Sequence, residues 1–326
     1  MFKLRHFIIV ILSVVSVNTF AQQEAQITHF MFNQLSFNPA YAGVRDAICS
    51  NILARQQWVG FTDGEDKVFP QTNIFSIDAP LNSINSGLGL MFMTDKLGFE
   101  ENLQVRLNYA YKFNIGLGRM SVGASVGFLN KTIDFSKFTW IDDGDPVLAS
   151  QGKESDMLMD FAFGLFYNVQ DMFYVGLSAS QLAEDDFSGT MTEVPYSLSR
   201  HFYLTGGYYF NMPNPSWVLN PNILVKTDLG STQVDLNVLG VYNNKLWGGV
   251  SYRAFDAACI LLGAYPFDQG LMSDFKVGYS YDVTTSKLGR GGRSNGSHEI
   301  FASYCFKIVI TRIPSSYSNV RYLPTL

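Results

Sequence analysis

The chain has 326 residues, of which 47% are hydrophobic, 15% aromatic and only 16% charged, with a formal net charge of −5. Charge is sparse against the roughly 25% of ordinary soluble domains, and an acidic balance argues against a nucleic-acid binder, which carries a basic excess. Three cysteines, Cys49, Cys259 and Cys305, are an odd number without metal-ligand spacing, so neither a disulfide framework nor a zinc site is indicated.

The opening stretch "MFKLRHFIIVILSVVSVNTFAQQ" has a basic start at Lys3 and Arg5, an apolar run from Phe7 to Val17, and Thr19-Phe20-Ala21 before Gln22. This predicts a signal peptide over 1–21, cleaved after Ala21. The run falls short of the about 20 residues of a spanning helix, and no stop-transfer charges follow. No Cys stands at the cleavage site, which argues against a lipoprotein. Residues 22–44 are too apolar for a linker and too irregular for a strand. They are expected to plug or cap the periplasmic mouth of the structure that follows, with Asn38-Pro39 as a fixed turn and Tyr41 packed inside.

From residue 45 to 308 the sequence reads as fourteen strands, approximately 45–57, 70–79, 86–95, 101–114, 119–130, 157–168, 171–182, 200–211, 216–227, 231–242, 245–255, 258–266, 273–284 and 297–308. Alternation is the signal. Leu103, Val105, Leu107, Tyr109, Tyr111 and Phe113 interleave with Gln104, Arg106, Asn108, Ala110, Lys112 and Asn114, which puts one set on each face. In "DFKVGYSYDV" (274–283), Phe275, Val277, Tyr279, Tyr281 and Val283 oppose Lys276, Gly278, Ser280 and Asp282. A soluble core could not bury such charges unpaired, since each costs several kcal/mol. An exposed face of a secreted sandwich or propeller, the alternative all-β reading, would be richer in Lys and Glu. An outer-membrane antiparallel β-barrel fits both observations, with apolar rows toward lipid and polar rows toward a partly hydrated lumen. The longest connections, 131–156, 183–199 and 285–296, follow the fifth, seventh and thirteenth strands, as external loops should. Short ones such as "NVQD" (168–171) and "NNK" (243–245) follow even strands. The tail 309–326 then lies in the periplasm. Aromatics at strand ends, Phe173, Tyr174, Tyr208, Tyr209, Phe210 and Trp217, fit interfacial girdles.

By this alternation Arg55, Arg106, Asp160, Asp235, Arg253, Lys276, Asp282 and Glu299 point inward as mixed-sign ladders that fill and stiffen the barrel. Arg55 also fits the opposite register. The external loops present Asp142, Asp143, Asp145, Glu184, Asp185 and Asp186, candidate contacts for a partner. No catalytic, cofactor or metal site is expected. The histidines His6, His29, His201 and His298 are scattered, and no nucleophile elbow or His-Glu-x-x-His pattern occurs. "DDGDP" (142–146) lacks the closing Glu of a calcium loop and reads as a turn.

The segment "ITHFMFNQLSFNPAYAGVR" (27–45) resembles the opening of the mature chain in the PorP/SprF family of type IX secretion outer-membrane proteins of Bacteroidota. The matching positions are His29, Phe30, Met31, Phe32, Asn33, Asn38, Pro39, Ala40, Tyr41, Ala42 and Gly43. The resemblance continues in "RQQWVGF" (55–61), "PQTNIFSIDAP" (70–80), "GGVSYR" (248–253), "VGYSYD" (277–282) and "GSHEI" (296–300). It implies a non-enzymatic outer-membrane component that supports export or cell-surface anchoring of a secreted adhesin in gliding-type systems. The implied partners are that cargo and other type IX components, including the periplasmic ring complex. The alternative is an outer-membrane porin or hydrophobic-solute transporter. A fourteen-strand barrel is wider than the side-chain-filled eight-strand case, so it leaks unless plugged.

Overall fold

The computed structural model describes residues 24–63, 66–138, 152–184, 186–187, 196–267, 273–287 and 294–306. The signal peptide, the tail 309–326 and the loop acids Asp142, Asp143, Asp145 and Asp185 lie outside them. Fourteen antiparallel strands close on themselves. They are β1 (Ile48–Gln56), β2 (Gln71–Leu81), β3 (Ser86–Leu97), β4 (Glu100–Ile115), β5 (Gly118–Asp134), β6 (Lys153–Val169) and β7 (Phe173–Ser180). Next come β8 (His201–Tyr208), β9 (Trp217–Thr227), β10 (Thr232–Tyr242), β11 (Leu246–Arg253), β12 (Ala257–Ala264), β13 (Lys276–Thr284) and β14 (Ser297–Phe306). Every neighbour in the sheet is a neighbour in sequence except the closing pair, β1 with β14. No helix among the described residues is long and apolar enough to cross a membrane.

Burial follows the two-residue period. On β4, Leu107, Tyr109 and Tyr111 are exposed, while Gln104, Arg106, Asn108 and Lys112 are buried. On β13, Tyr279 and Val283 face outward, and Ser280 and Asp282 are wholly enclosed. The apolar face of "DFKVGYSYDV" is therefore the outer one. β1 begins, and β14 ends, on the rim that carries the short turns 82–85, 116–117, 170–172 and 243–245. In outer-membrane barrels that rim is periplasmic. The opposite rim bears the connection 57–70, with its two-residue hairpin Thr62–Asp63 and Asp66–Lys67, and the connections after β5, β7 and β13. External connections are not uniformly long: β3 and β4 are joined by two residues, and β11 and β12 by three. β5 and β6 also run further than the alternation indicated, to Asp134 and from Lys153, which shortens the loop between them.

Two expectations are corrected here. Cys49 and Cys305 form a disulfide. They sit directly opposite each other at the β1–β14 seam, so the bond ties the first strand to the last near the periplasmic rim. The odd count concealed this pair because the third cysteine, Cys259, is buried and free. Second, Tyr174 is not a girdle residue. It is buried and faces the lumen, stacked on Phe166 with centroids 5.7 Å apart. Trp217 with Tyr242, and Tyr208 with Phe210, do form exposed aromatic pairs at the periplasmic rim.

Candidate functional site

The N-terminal segment fills the lumen. It does more than cap the periplasmic mouth: it runs the length of the barrel. Glu24 accepts a hydrogen bond from Gln181 at the external end of β7, and Gln26 donates to Gln233 at the external end of β10. Thr28 and His29 reach Asp282 and Glu299, at the external ends of β13 and β14. From there three short 3-10 turns, Phe30–Phe32, Gln34–Ser36 and Pro39–Tyr41, step down to the periplasmic rim. The chain then turns back into β1.

The motif Asn38-Pro39-Ala40-Tyr41-Ala42-Gly43 is explained by what it touches. Asn38 Oδ1 accepts from the Ala40 amide at 2.9 Å and caps the turn that Pro39 starts. Its Nδ2 donates to the backbone oxygens of Leu165 and Leu177, on β6 and β7. The plug backbone lies so close to the wall that a methyl group on Gly123 would overlap Ala40, and one on Gly164 would overlap Asn38 Oδ1. Gly43 has φ +68°, a conformation that favours glycine, and its amide donates to Asp78 at 2.9 Å.

A latch of buried charge holds the upper plug. The Thr28 and His29 amides each donate to Glu299 at 2.8 Å, and His29 Nδ1 lies 2.6 Å from the same carboxylate. The Thr28 hydroxyl donates to Asp282 and accepts from Arg55 at 2.9 Å and Arg253 at 3.3 Å. Arg55 also bonds Asp282 at 2.8 Å and Glu299 at 3.2 Å, and Arg253 bonds Asp235 at 3.2 Å. Arg55, Arg253, Asp282 and Glu299 are each at most 2% exposed. Coulomb attraction is strong at these separations in a dry interior, where charges without partners are correspondingly costly.

Arg106 pairs with Asp160, and its guanidinium donates to the Ser36 carbonyl of the plug. Lys112 donates to the Gly43 carbonyl at 2.8 Å. Lys276 is half-buried, its ammonium 5.2 Å from the Phe32 ring centroid, a cation–π distance. The eight charged residues selected by alternation thus line the interior. They form clusters around the plug rather than ladders along the wall. Alternation did not identify Thr28, the hub of the latch, because an uncharged residue ahead of the first strand carries no periodic signal.

The lumen is also drier than a polar row implies. Leu53, Ile74, Met91, Leu224, Leu239, Trp247 and Leu261 point inward and pack with Ile27, Phe30, Met31 and Phe37 of the plug in one buried cluster. Of the loop acids, Glu184 is exposed and paired with Arg200 at 2.8 Å. Asp186 lies in the short hairpin Asp186–Phe187 and Tyr196–Ser197. No cluster of metal-ligating side chains occurs among the described residues.

The sequence model of one family, the type IX secretion system membrane protein PorP/SprF, matches residues 19–304, nearly the whole chain. The chain belongs to the PorP/SprF family. It is therefore an outer-membrane component of the type IX secretion system. No curated protein matches it. Among solved structures it is similar to the Ralstonia pickettii toluene transporter TbuX, with a TM-score of 0.52 and 10% identity over 83% of this chain and 93% of that one. It is also similar to the Acinetobacter baumannii outer membrane protein Omp33, with a TM-score of 0.45 and 9% identity over 80% and 99% of the two chains. At such identity the TbuX likeness speaks to the fold, an outer-membrane barrel.

Proposed function

We propose that this PorP/SprF protein holds or helps export a large surface adhesin delivered by the type IX system, acting as a scaffold without a catalytic step. The observation that carries this reading is a plug that packs a dry core across the lumen of a family member. A barrel so filled suits a structural role at the membrane better than a conduit. The external connections 135–152 and 183–199, acidic at Asp142, Asp143, Asp145, Glu184, Asp185 and Asp186, are the natural cargo contacts. The periplasmic turns and the tail 309–326 are the natural contacts for the machinery beneath, the periplasmic ring complex included.

The test is affinity purification from solubilised outer membranes, paired with a deletion strain. Co-elution of a secreted adhesin or of type IX components, with loss of that adhesin from the cell surface on deletion, is expected. If the barrel returns alone, and the deletion strain keeps its surface proteins but loses uptake of a solute, the reading fails and the transporter alternative takes its place.

A further inference from the structure

The periplasmic rim encloses a cavity of about 810 Å3 that the latch leaves free. This lies within the roughly 300–1,000 Å3 range of ligand pockets. Its floor is apolar and buried, formed by Met31 of the plug, Phe166 of β6 and Tyr174 of β7. Tyr41 and Tyr209 form walls, and Arg45, Arg119 and Asn168 stand around them. The cavity is a dead end, because above the floor the plug residues Phe30 and Phe37 are packed into the dry core. Whatever enters from the periplasm stops there.

The walls are fixed in advance. The Tyr41 ring meets Phe166 edge-on at 5.2 Å, and the Arg45 guanidinium lies 5.7 Å over the Tyr41 ring. Arg45 is tied to Asp78 at 3.0 Å, and Arg119 is held by both oxygens of Asp46 at 2.8 and 2.7 Å. Preorganisation of this kind lowers the ordering cost of binding. Three polar atoms of the lining, Gln34 Oε1, Arg45 Nε and Asn168 Oδ1, are buried without a hydrogen-bond partner among the described residues. One is a donor and two are acceptors.

We propose that this vestibule is a peptide-binding site. It takes an extended segment of a periplasmic protein, with one aromatic or large aliphatic side chain between the walls Tyr41 and Tyr209. An apolar anchor pocket ringed by polar groups is the usual anatomy of a binding hot spot. A peptide backbone offers the carbonyl oxygens to which the partly exposed Arg45 and Arg119 guanidiniums can donate. A sugar fits less well, because the floor rings are 2% and 8% exposed and leave no broad face for stacking. A solute in transit fits less well again, because the pocket has no exit. The proposal rests on the reading above, that the periplasmic face meets other secretion components.

Full-length protein in detergent micelles is panned with a phage library of random linear heptapeptides, and enriched sequences are remade as fluorescent peptides for anisotropy titration. The expected result is a shared Phe, Tyr, Trp or Leu anchor. Asn168→Trp, which fills the cavity, and Tyr209→Ala, which removes a wall, should each weaken binding by about tenfold or more. Leu229→Asn, in the external turn between β9 and β10, should bind as the parent does. Heat-modified gel mobility confirms that each variant is folded.

No enrichment, or equal binding by a folded Asn168→Trp variant, overturns the site. So does displacement of the peptides by soluble peptidoglycan fragments, which would assign the cavity to a glycan. These measurements use purified protein and defined peptides, so the site can fail while surface retention of cargo in cells persists. In that case the secretion reading stands without it.

Discussion

Glu299→Ala tests the latch most sharply. Glu299 is fully enclosed and accepts from the Thr28 amide, the His29 amide, the His29 ring and Arg55. Truncation leaves all four without that acceptor and strands Arg55 beside Asp282 alone. Breaking a buried ion pair from one side costs about 3–5 kcal/mol, and each buried N–H left unsatisfied about 1–3 kcal/mol. The terms share partners and do not add, so the expected loss is about 3–5 kcal/mol. Thr28→Val removes only the hydroxyl and should cost less, about 1–3 kcal/mol. Lys153→Ala is the control. Lys153 is 70% exposed and 3.8 Å from Asp134, and surface pairs of this kind are worth about 0–1 kcal/mol. Urea unfolding of protein reconstituted in lipid vesicles, followed by tryptophan fluorescence, measures all three. If Glu299→Ala falls within about 0.5 kcal/mol of Lys153→Ala, the carboxylate does not hold the plug and the latch reasoning is wrong.

Three further outcomes follow from the same geometry. Reduction, or the double substitution Cys49→Ala with Cys305→Ala, should leave a folded barrel that unfolds at lower urea, because the seam loses its covalent tie; an unchanged midpoint would show that the strand pairing alone holds it. Gly123→Val and Gly164→Val should each destabilise the protein by about 1–3 kcal/mol through overlap with Ala40 and Asn38, and proteolysis of residues 22–44 in the folded protein should speed up; wild-type resistance in both variants would contradict the close plug–wall contact. Asn38→Ala should cost about 1–3 kcal/mol in the same unfolding assay, from a lost cap and two carbonyl contacts, whereas a neutral result would mean that Pro39 fixes the turn unaided.

The barrel was legible in the sequence because a two-residue period repeated over fourteen segments, with charge kept to one face, is compatible with few folds besides a closed membrane sheet. The same period sorted Arg106, Asp282 and Glu299 to the inside. Four things were not legible. The disulfide joins residues 256 positions apart, and only the closure of the sheet brings them together. Inward-facing Leu53, Met91 and Trp247 read as ordinary strand hydrophobics, because nothing in a single strand tells an apolar side chain facing lipid from one facing a plug. Tyr174 was misplaced for a related reason: an aromatic near a strand end looks like a girdle residue whichever way it points. The upward path of the plug was hidden too. Its residues have no periodicity, and its course is set by partners on β13 and β14, at the far end of the chain.

That arrangement makes the plug part of the barrel's assembly rather than a stopper placed in a finished pore. It precedes β1 in the chain, yet its upper end is gripped by Arg55 from β1 and by Asp282 and Glu299 from the last two strands. The groups that meet at the closing seam meet through Thr28 and His29. Without the segment, Arg55, Arg253, Asp282 and Glu299 would face one another without the plug's donors, and the inward apolar side chains Leu53, Ile74, Met91, Leu224, Leu239, Trp247 and Leu261 would face an empty lumen. Burial at about 25 cal/mol per Å2 of apolar surface would be forfeited across that whole cluster. Deleting residues 23–42 should therefore prevent the barrel from reaching its folded, heat-modifiable form in refolding with lipid vesicles, and adding the peptide 22–44 during refolding should recover part of it. A deletion protein that folds unaided into a stable barrel with steady conductance would show the opposite, a plug that closes a self-sufficient pore.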